Sequence, residues 1–372
     1  MTRQCNRVGG VNLAQGFPDF PAPEALKEAA CRAVMADVNQ YAITWGAPGL
    51  RAAIAAKAAR FNGLPWVEAD RHVTVTCGAT EAMMATMLSI VDPGDEVIVF
   101  EPFYENYGPD AVMAQAVLRT VPLVGRTFEI DLERLREAFG PRTRAIVVNT
   151  PHNPTGKVFS RPELEAIAAL CQEFDALAIT DEIYEHMVYE GEHLSIAALP
   201  GMAERTITIS GLSKTFAVTG WRLGYVIAPE ALTQAIRRAH DFLTVGAPAP
   251  LQEAAITALA FGPDYYEALL ASYRAKRDQM HAILSEVGLG PVLPQGAYYM
   301  MADIRHTGLD DRAFARFLVE EVGVAIVPGT SFWSDTAAGS AWVRFAFPKR
   351  PETLNAARER LLTLSARLEA RR

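Results

Sequence analysis

Apolar residues recur along this chain in two rhythms. Short β-branched or apolar runs read as strands, and longer stretches with apolar positions every three or four residues read as amphipathic helices. The predicted strands of the central part are His72 to Thr76, Asp95 to Phe100, Arg144 to Asn149, Ala176 to Thr180 and Thr206 to Ile209, with another opening at Trp221. Helices are predicted straight after Gly78, from Arg161 to Phe174, and after Pro229 to near Leu243. Strand and helix alternate from His72 to Ala228, which predicts an α/β fold: a mostly parallel central sheet with helices on both faces.

The flanks read differently. Pro23 to Val34, the alanine-rich stretch before Phe61, Gln252 to Leu259, Pro263 to Glu286, Asp311 to Glu320 and Pro351 to Ala370 are predicted helices. Val324 to Val327, Trp342 to Phe347 and an aromatic stretch in Pro294 to Ala302 are predicted strands. Met1 to Gly10 is short and polar and is expected to be mobile. At 372 residues the chain exceeds one ordinary domain. A large unit over 40–262 and a smaller α+β unit built from both termini, 1–39 with 263–372, are expected.

Composition narrows this only a little. Half of the residues are apolar and the net charge is -8, which disfavours nucleic acid or an anionic membrane as a partner. The four cysteines have no metal-ligand spacing, and Cys31, Cys77 and Cys171 are expected to be buried free thiols. Neither a leader-like apolar run nor a membrane-spanning one is visible, so a cytoplasmic protein is expected.

The candidate chemistry gathers just past predicted strand ends. Lys214, the only lysine between Lys157 and Lys276, follows a buried-looking strand. A desolvated lysine is suited to a Schiff base with an aldehyde cofactor. Arg222, eight residues on, is of the type that clamps a phosphate. Gly78, Ala79 and Thr80 open a helix, where free N–H groups and the helix dipole favour an anion. Tyr104, or Phe103 beside it, follows a strand and can stack on a planar ring. Asn153 lies in a loop stiffened by two prolines and can donate a hydrogen bond. Asp181 ends an apolar run and needs a cationic partner to stay charged; Tyr184 lies three residues further. Arg344, between Val343 and Phe345, needs an anion, and a carboxylate gripped at two points satisfies it. His152 is read as a solvated loop histidine.

The stretch GLSKTFAVTGWRLGY closely resembles the lysine segment of class I/II aminotransferases of fold-type I. The resemblance runs from LAQGFPDF at Leu13 to VRFAFPK at Val343 and is strongest to the kynurenine, glutamine and methionine aminotransferase branch. It implies pyridoxal 5′-phosphate (PLP) bound at Lys214. It further implies Asp181 at the ring nitrogen, Tyr184 and Asn153 at the ring oxygen, and Tyr104 against the ring. The phosphate falls to Gly78, Ala79, Thr80, Ser213 and Arg222, and the substrate to Gly16, Asn153 and Arg344. Lys214, Asp181 and Tyr184 are the implied catalytic set. Tyr41 matches a tyrosine that reaches the neighbouring subunit's phosphate, which implies a homodimer. Relatives carry a longer N-terminal segment with a helix ahead of LAQGFPDF.

The implied reaction moves an amino group between an L-amino acid of methionine, aromatic, kynurenine or glutamine type and a 2-oxo acid. β-Elimination from cysteine conjugates, or other Cα, Cβ or Cγ chemistry, uses the same residues. A PLP-sensing regulator is disfavoured, because there is neither length nor charge for a DNA-binding module. Phe17, Phe20, Trp45 and Tyr298 are candidate contacts for the substrate side chain.

Overall fold

A computed structural model describes residues 1–371. Its centre is an 8-stranded sheet. Across it the order is Val73–Thr76, Gly224–Ile227, Thr206–Gly211, Leu177–Asp181, Thr143–Asn149, Glu96–Glu101, Val117–Val124 and Glu129–Ile130. The run from Thr206–Gly211 to Val117–Val124 is parallel, as the βα alternation predicted. Gly224–Ile227 pairs antiparallel on both sides and Glu129–Ile130 closes the other edge antiparallel.

The inner strands are buried along nearly their whole length because both faces of the sheet are covered there, whereas Val117–Val124 and Glu129–Ile130 at one edge are partly exposed. The helices Gly78–Ile90 and Glu230–Leu243 pack one face against Val97, Val99, Ile179 and Ile207. The helix Arg161–Glu173 packs the other against Ile98, Ile146 and Ala178. Its start is fixed by a Ser160–Glu163 capping box.

A 4-stranded antiparallel sheet, ordered Gly290–Pro291, Tyr299–Asp303, Trp342–Ala346 and Val327–Pro328, lies with the helices Pro263–Glu286 and Pro351–Leu361 around a second core. Val11–Asn12 pairs in parallel with Val324–Ala325, so the start of the chain is fastened to this unit. The helix Glu24–Met35 packs elsewhere. Leu26, Ala29 and Ala30 bury against the helices Pro48–Phe61 and Ala249–Leu259, beside the large sheet.

Several expectations are corrected. Residues Thr2–Arg7 are helical and Cys5 is buried against Ala14 and Val319, so the first ten residues hold an ordered helix with one anchored side chain, though most of the ten are exposed. Cys31 is exposed and Cys77 half-buried; only Cys171 of the three is buried. The strand expected at Trp221 begins at Gly224, because Thr219–Trp221 is a 3₁₀ turn and Arg222 has φ 52°, which no strand accommodates. The helix from Pro351 ends at Leu361, and a separate one runs Leu364–Glu369. The segment between Tyr104 and Arg144 holds the helices Tyr107–Met113 and Leu132–Ala138 and the strand Val117–Val124, none of them anticipated. Among the described residues no helix is long and apolar enough to cross a membrane.

Candidate active site

Strand carboxyl ends and the small unit meet around a cavity of about 660 Å³. Ligands in open α/β sheets bind at this edge. Gly16, Ala79, Thr80, Tyr104, Asn153, Asp181, Tyr184, Ser213, Lys214, Arg222 and Arg344 all line it. They come from both ends of the chain and from the turns after successive strands.

Lys214 lies in the turn after Thr206–Gly211. Its Nζ is 3.4 Å from the Gly16 carbonyl oxygen and stands over the Tyr184 and Tyr298 rings at 5.9 and 5.7 Å. No carboxylate pairs with it among the described residues.

Asp181 ends its strand and is buried. Its Oδ2 accepts from the Tyr107 hydroxyl at 2.8 Å and its Oδ1 from the Ile183 N–H at 3.3 Å. Burial raises its pKa above the usual carboxylate value, and the bond from Tyr107 opposes that rise. Below it, Asn149 Nδ2 donates to the Asp181 carbonyl at 2.8 Å.

Tyr184 and Tyr299 share a hydrogen bond at 3.1 Å between their hydroxyls. Burial pushes the Tyr184 hydroxyl well above its ordinary pKa, and that of Tyr104 up to about 12, so both stay protonated. Tyr104 stands edge-on to Tyr107 at 5.7 Å.

Arg344 is 6% exposed, and no carboxylate lies within 4.0 Å of it among the described residues. Its Nη1 donates to Asn153 Oδ1 at 2.8 Å and its Nη2 to the Ala14 carbonyl at 3.3 Å. Its Nε has no partner. Tyr299 and Phe332 hold the guanidinium at 4.2 and 4.6 Å from their ring centres. A buried cation without a counter-ion, facing a cavity, is a receptor for an anion.

Arg222 and the helix start form a second cationic corner. Its Nη1 bonds the Thr219 carbonyl at 3.0 Å and its Nη2 reaches Thr80 Oγ1 at 3.5 Å. Gly78, at φ +81°, does not line the cavity itself; a Cβ there would strike this guanidinium. Gly16 is similarly confined, since a Cβ would strike the Tyr299 hydroxyl.

Tyr41 lies apart from the cavity and is 88% exposed. Of the four aromatics expected at the substrate, only Phe17 lines the cavity. Trp45 packs on Arg237, Phe20 on Tyr273, and Tyr298 is fully buried with its hydroxyl on the Gly16 carbonyl at 2.7 Å. His152 is buried, not solvated. It bonds Thr155 at 2.8 Å, and burial lowers its pKa to about 3.

Tyr107, Tyr299 and Asn149 also line the cavity and were not singled out from the sequence. Tyr299 neighbours Tyr298, and nothing in a run of two tyrosines says which ring faces the ligand.

One cavity thus joins a lysine free of carboxylates, a buried carboxylate, several tyrosines and two arginines, and comparison with known proteins gives the class. The family described as aminotransferase class I and II matches residues 8–361, and the chain belongs to it. It is 44% identical over 99% of its length to a probable N-succinyldiaminopimelate aminotransferase of Mycobacterium tuberculosis, spanning 95% of that protein. It is 36% identical to the Escherichia coli methionine aminotransferase, over 95% of this chain and 92% of that one. Against the solved Mycobacterium tuberculosis structure the TM-score is 0.94 at 44% identity, covering 98% of this chain and 96% of the other. For the Thermus thermophilus aspartate aminotransferase double mutant the TM-score is 0.91 at 38% identity, with 97% and 94% covered. The chain is therefore a transaminase of fold-type I that uses pyridoxal 5′-phosphate.

The residues present fit that group. There is an amine free of carboxylates, a buried carboxylate without a cation, an aromatic wall and an arginine at a helix start, all on one cavity.

Proposed function

We propose that Lys214 holds the cofactor covalently, with Asp181 at its ring nitrogen, Tyr184 and Asn153 at its ring oxygen and Tyr104 against its face. Gly78, Ala79, Thr80, Ser213 and Arg222 take the phosphate. Arg344 takes the α-carboxylate of the amino acid, beside Gly16 and Asn153. The bound cofactor supplies an electron sink for the α-carbon. Asp181 would keep the ring nitrogen protonated, and the Lys214 amine would move the proton at Cα as base and then acid. The observation that carries this reading is the buried, unpaired Arg344 across one cavity from Lys214.

The substrate is an amino acid with a neutral or extended side chain, of methionine, aromatic, kynurenine or glutamine type, and the acceptor a 2-oxo acid. What supports this is the remaining wall: Gln15, Phe17, Asn106, Val327 and Pro328 are neutral, and its one unassigned charged side chain, Glu105, is an anion that would repel a second substrate carboxylate. The cavity's three Lys or Arg residues, Lys214, Arg222 and Arg344, are already assigned, which leaves no lysine or arginine side chain among the described lining residues for a second substrate carboxylate. A second reading, N-succinyldiaminopimelate, is favoured by the 44% identity to the Mycobacterium tuberculosis protein.

The test is a half-reaction panel, following loss of the cofactor's visible band with methionine, phenylalanine, kynurenine, glutamine, aspartate and N-succinyldiaminopimelate. The neutral amino acids are expected to react and aspartate to lag by at least about tenfold. Faster loss with N-succinyldiaminopimelate than with any neutral amino acid selects the second reading. Pyruvate and ammonia from a cysteine conjugate, without the aminated cofactor, would replace transamination by β-elimination.

The active unit is a homodimer completed by Tyr41. His240 Nε2 meets the Thr44 carbonyl and so brings the loop before Pro48–Phe61 to the end of the helix Glu230–Leu243; the two expose Tyr41, Ile43, Phe242 (93%), Leu243 and, just past the helix, Val245. A run of bare apolar side chains of this kind suits a second copy of the chain.

A further inference from the structure

The turn that follows Leu177–Asp181 carries two sets of side chains. Asp181 and Tyr184 line the cavity, while the interleaved Glu182 and Glu185 are buried outside it. Glu185 Oε2 pairs with Lys57 Nζ at 2.5 Å and accepts from Asn62 Nδ2 at 2.8 Å; its Oε1 accepts from Ser210 Oγ at 2.8 Å. Lys57 also donates to Asn62 Oδ1 at 2.9 Å and to the Tyr225 hydroxyl at 3.2 Å. Glu182 accepts from Ser195 at 2.7 Å, Thr180 at 3.0 Å and Asn62 at 3.2 Å, and His193 Nε2 lies 3.0 Å from it.

Both Lys57 and Glu185 side chains are 3% exposed. An ion pair this deep stabilises a fold less than apolar residues of the same volume would. What it supplies is geometry. Lys57 and Asn62 sit at the far end of the helix Pro48–Phe61, and Ser210 and Tyr225 come from the two strands beyond the turn. The turn is thus held from behind on several elements at once.

We propose that Lys57 and Glu185, bridged by Asn62, are positioning residues that fix the 181–185 turn so that the Tyr184 hydroxyl and the Asp181 carboxylate keep their aim into the cavity. This rests on the cofactor contacts proposed above for Asp181 and Tyr184. Neither Lys57 nor Glu185 touches the cavity; they act through the backbone between the two side chains that do. Loss of the pair lets Tyr184 drift from the ring oxygen, and that contact sets the pH at which the cofactor's visible band changes.

The test is the Lys57→Met/Glu185→Gln double variant, which removes both charges and leaves neither buried alone. With cofactor bound, the pH midpoint of its visible band is expected to move by about half a unit or more. kcat falls roughly 10- to 100-fold with KM for the amino acid within about threefold. Asn62→Ala shows the same signature at smaller size and serves if the double variant does not fold. A lower melting temperature with an unchanged midpoint and kcat, in whichever variant folds, would mean a structural role only and overturn the proposal. Borohydride trapping at Lys214 of the unaltered protein is the control: its failure condemns the cofactor assignments, whereas trapping with unmoved variants condemns this inference alone.

Discussion

The Tyr107 hydroxyl donates to Asp181 Oδ2 at 2.8 Å, and it is the only side chain that bonds the Asp181 carboxylate among the described residues. It lowers a pKa that burial raises. Tyr107→Phe removes this opposition, so the pKa of Asp181 climbs and the acid limb of the kcat/KM profile moves to higher pH, by about half a unit or more. A profile coincident with that of the parent protein would contradict the assignment.

The Arg344 guanidinium lies against the Tyr299 and Phe332 rings and donates from two of its nitrogens, to Asn153 Oδ1 and the Ala14 carbonyl, a set of contacts that a guanidinium makes and an ammonium does not reproduce. Arg344→Lys is expected to raise KM for the amino acid roughly 10- to 100-fold while the cofactor's spectrum stays unchanged. Steady-state kinetics with a cofactor titration distinguish the two effects. Weakened cofactor binding with normal KM would place Arg344 elsewhere in the chemistry.

Lys214→Ala is expected to abolish turnover and the visible band of the bound cofactor, since no other lysine lines the cavity. Absorbance and borohydride labelling check both. A band that persists in this variant excludes Lys214 as the point of attachment.

Both ring nitrogens of His240 face oxygens, Glu81 Oε1 at 2.5 Å and the Thr44 carbonyl at 2.7 Å, an arrangement that favours the doubly protonated ring. Burial lowers its pKa, but Glu81 more than compensates, and the net direction is up from 6.5. A folded-state pKa above the unfolded one gives stability that is fully present below the unfolded value and is lost as pH rises through the folded value. The melting temperature of the parent, relative to His240→Gln, is therefore expected to decline as pH is raised above 6.5. A difference that grows with pH would show that the imidazole is neutral.

Tyr41→Phe is expected to leave the oligomer intact and to weaken cofactor retention on dilution, by about tenfold for one charge-assisted hydrogen bond. Light scattering at twice the chain mass accompanies the measurement. A protein that scatters as a single chain and keeps its cofactor would remove Tyr41 from the site.

What could be read from the sequence was the set of residues tied to strand ends. Asp181, Asn153 and Lys214 follow apolar runs that only a buried parallel sheet explains, and such a sheet delivers its ends to one edge. Tyr107 was illegible because it opens a helix with no motif around it and acts 74 residues away. The network of Lys57 and Glu185 was equally hidden, since a lysine in an alanine-rich helix reads as a solvated one until the opposing carboxylate is found at 2.5 Å. Arg344 announced a need for an anion, but not that Asn153 turns it toward the cavity. The N-terminal helix was missed because its polar residues hide one buried side chain, Cys5.

Thr206–Gly211 and Gly224–Ile227 are antiparallel neighbours in register from Thr208 opposite Ile227 to Gly211 opposite Gly224. Lys214 and Arg222 both sit on the connection between them. That connection behaves as a ruler: one hairpin sets the span between the covalent tether and the phosphate clamp proposed above. Slipping the pairing by a single residue would turn every side chain to the opposite face. A chain lengthened or shortened by one residue there could keep its sheet and still lose the distance on which its chemistry depends.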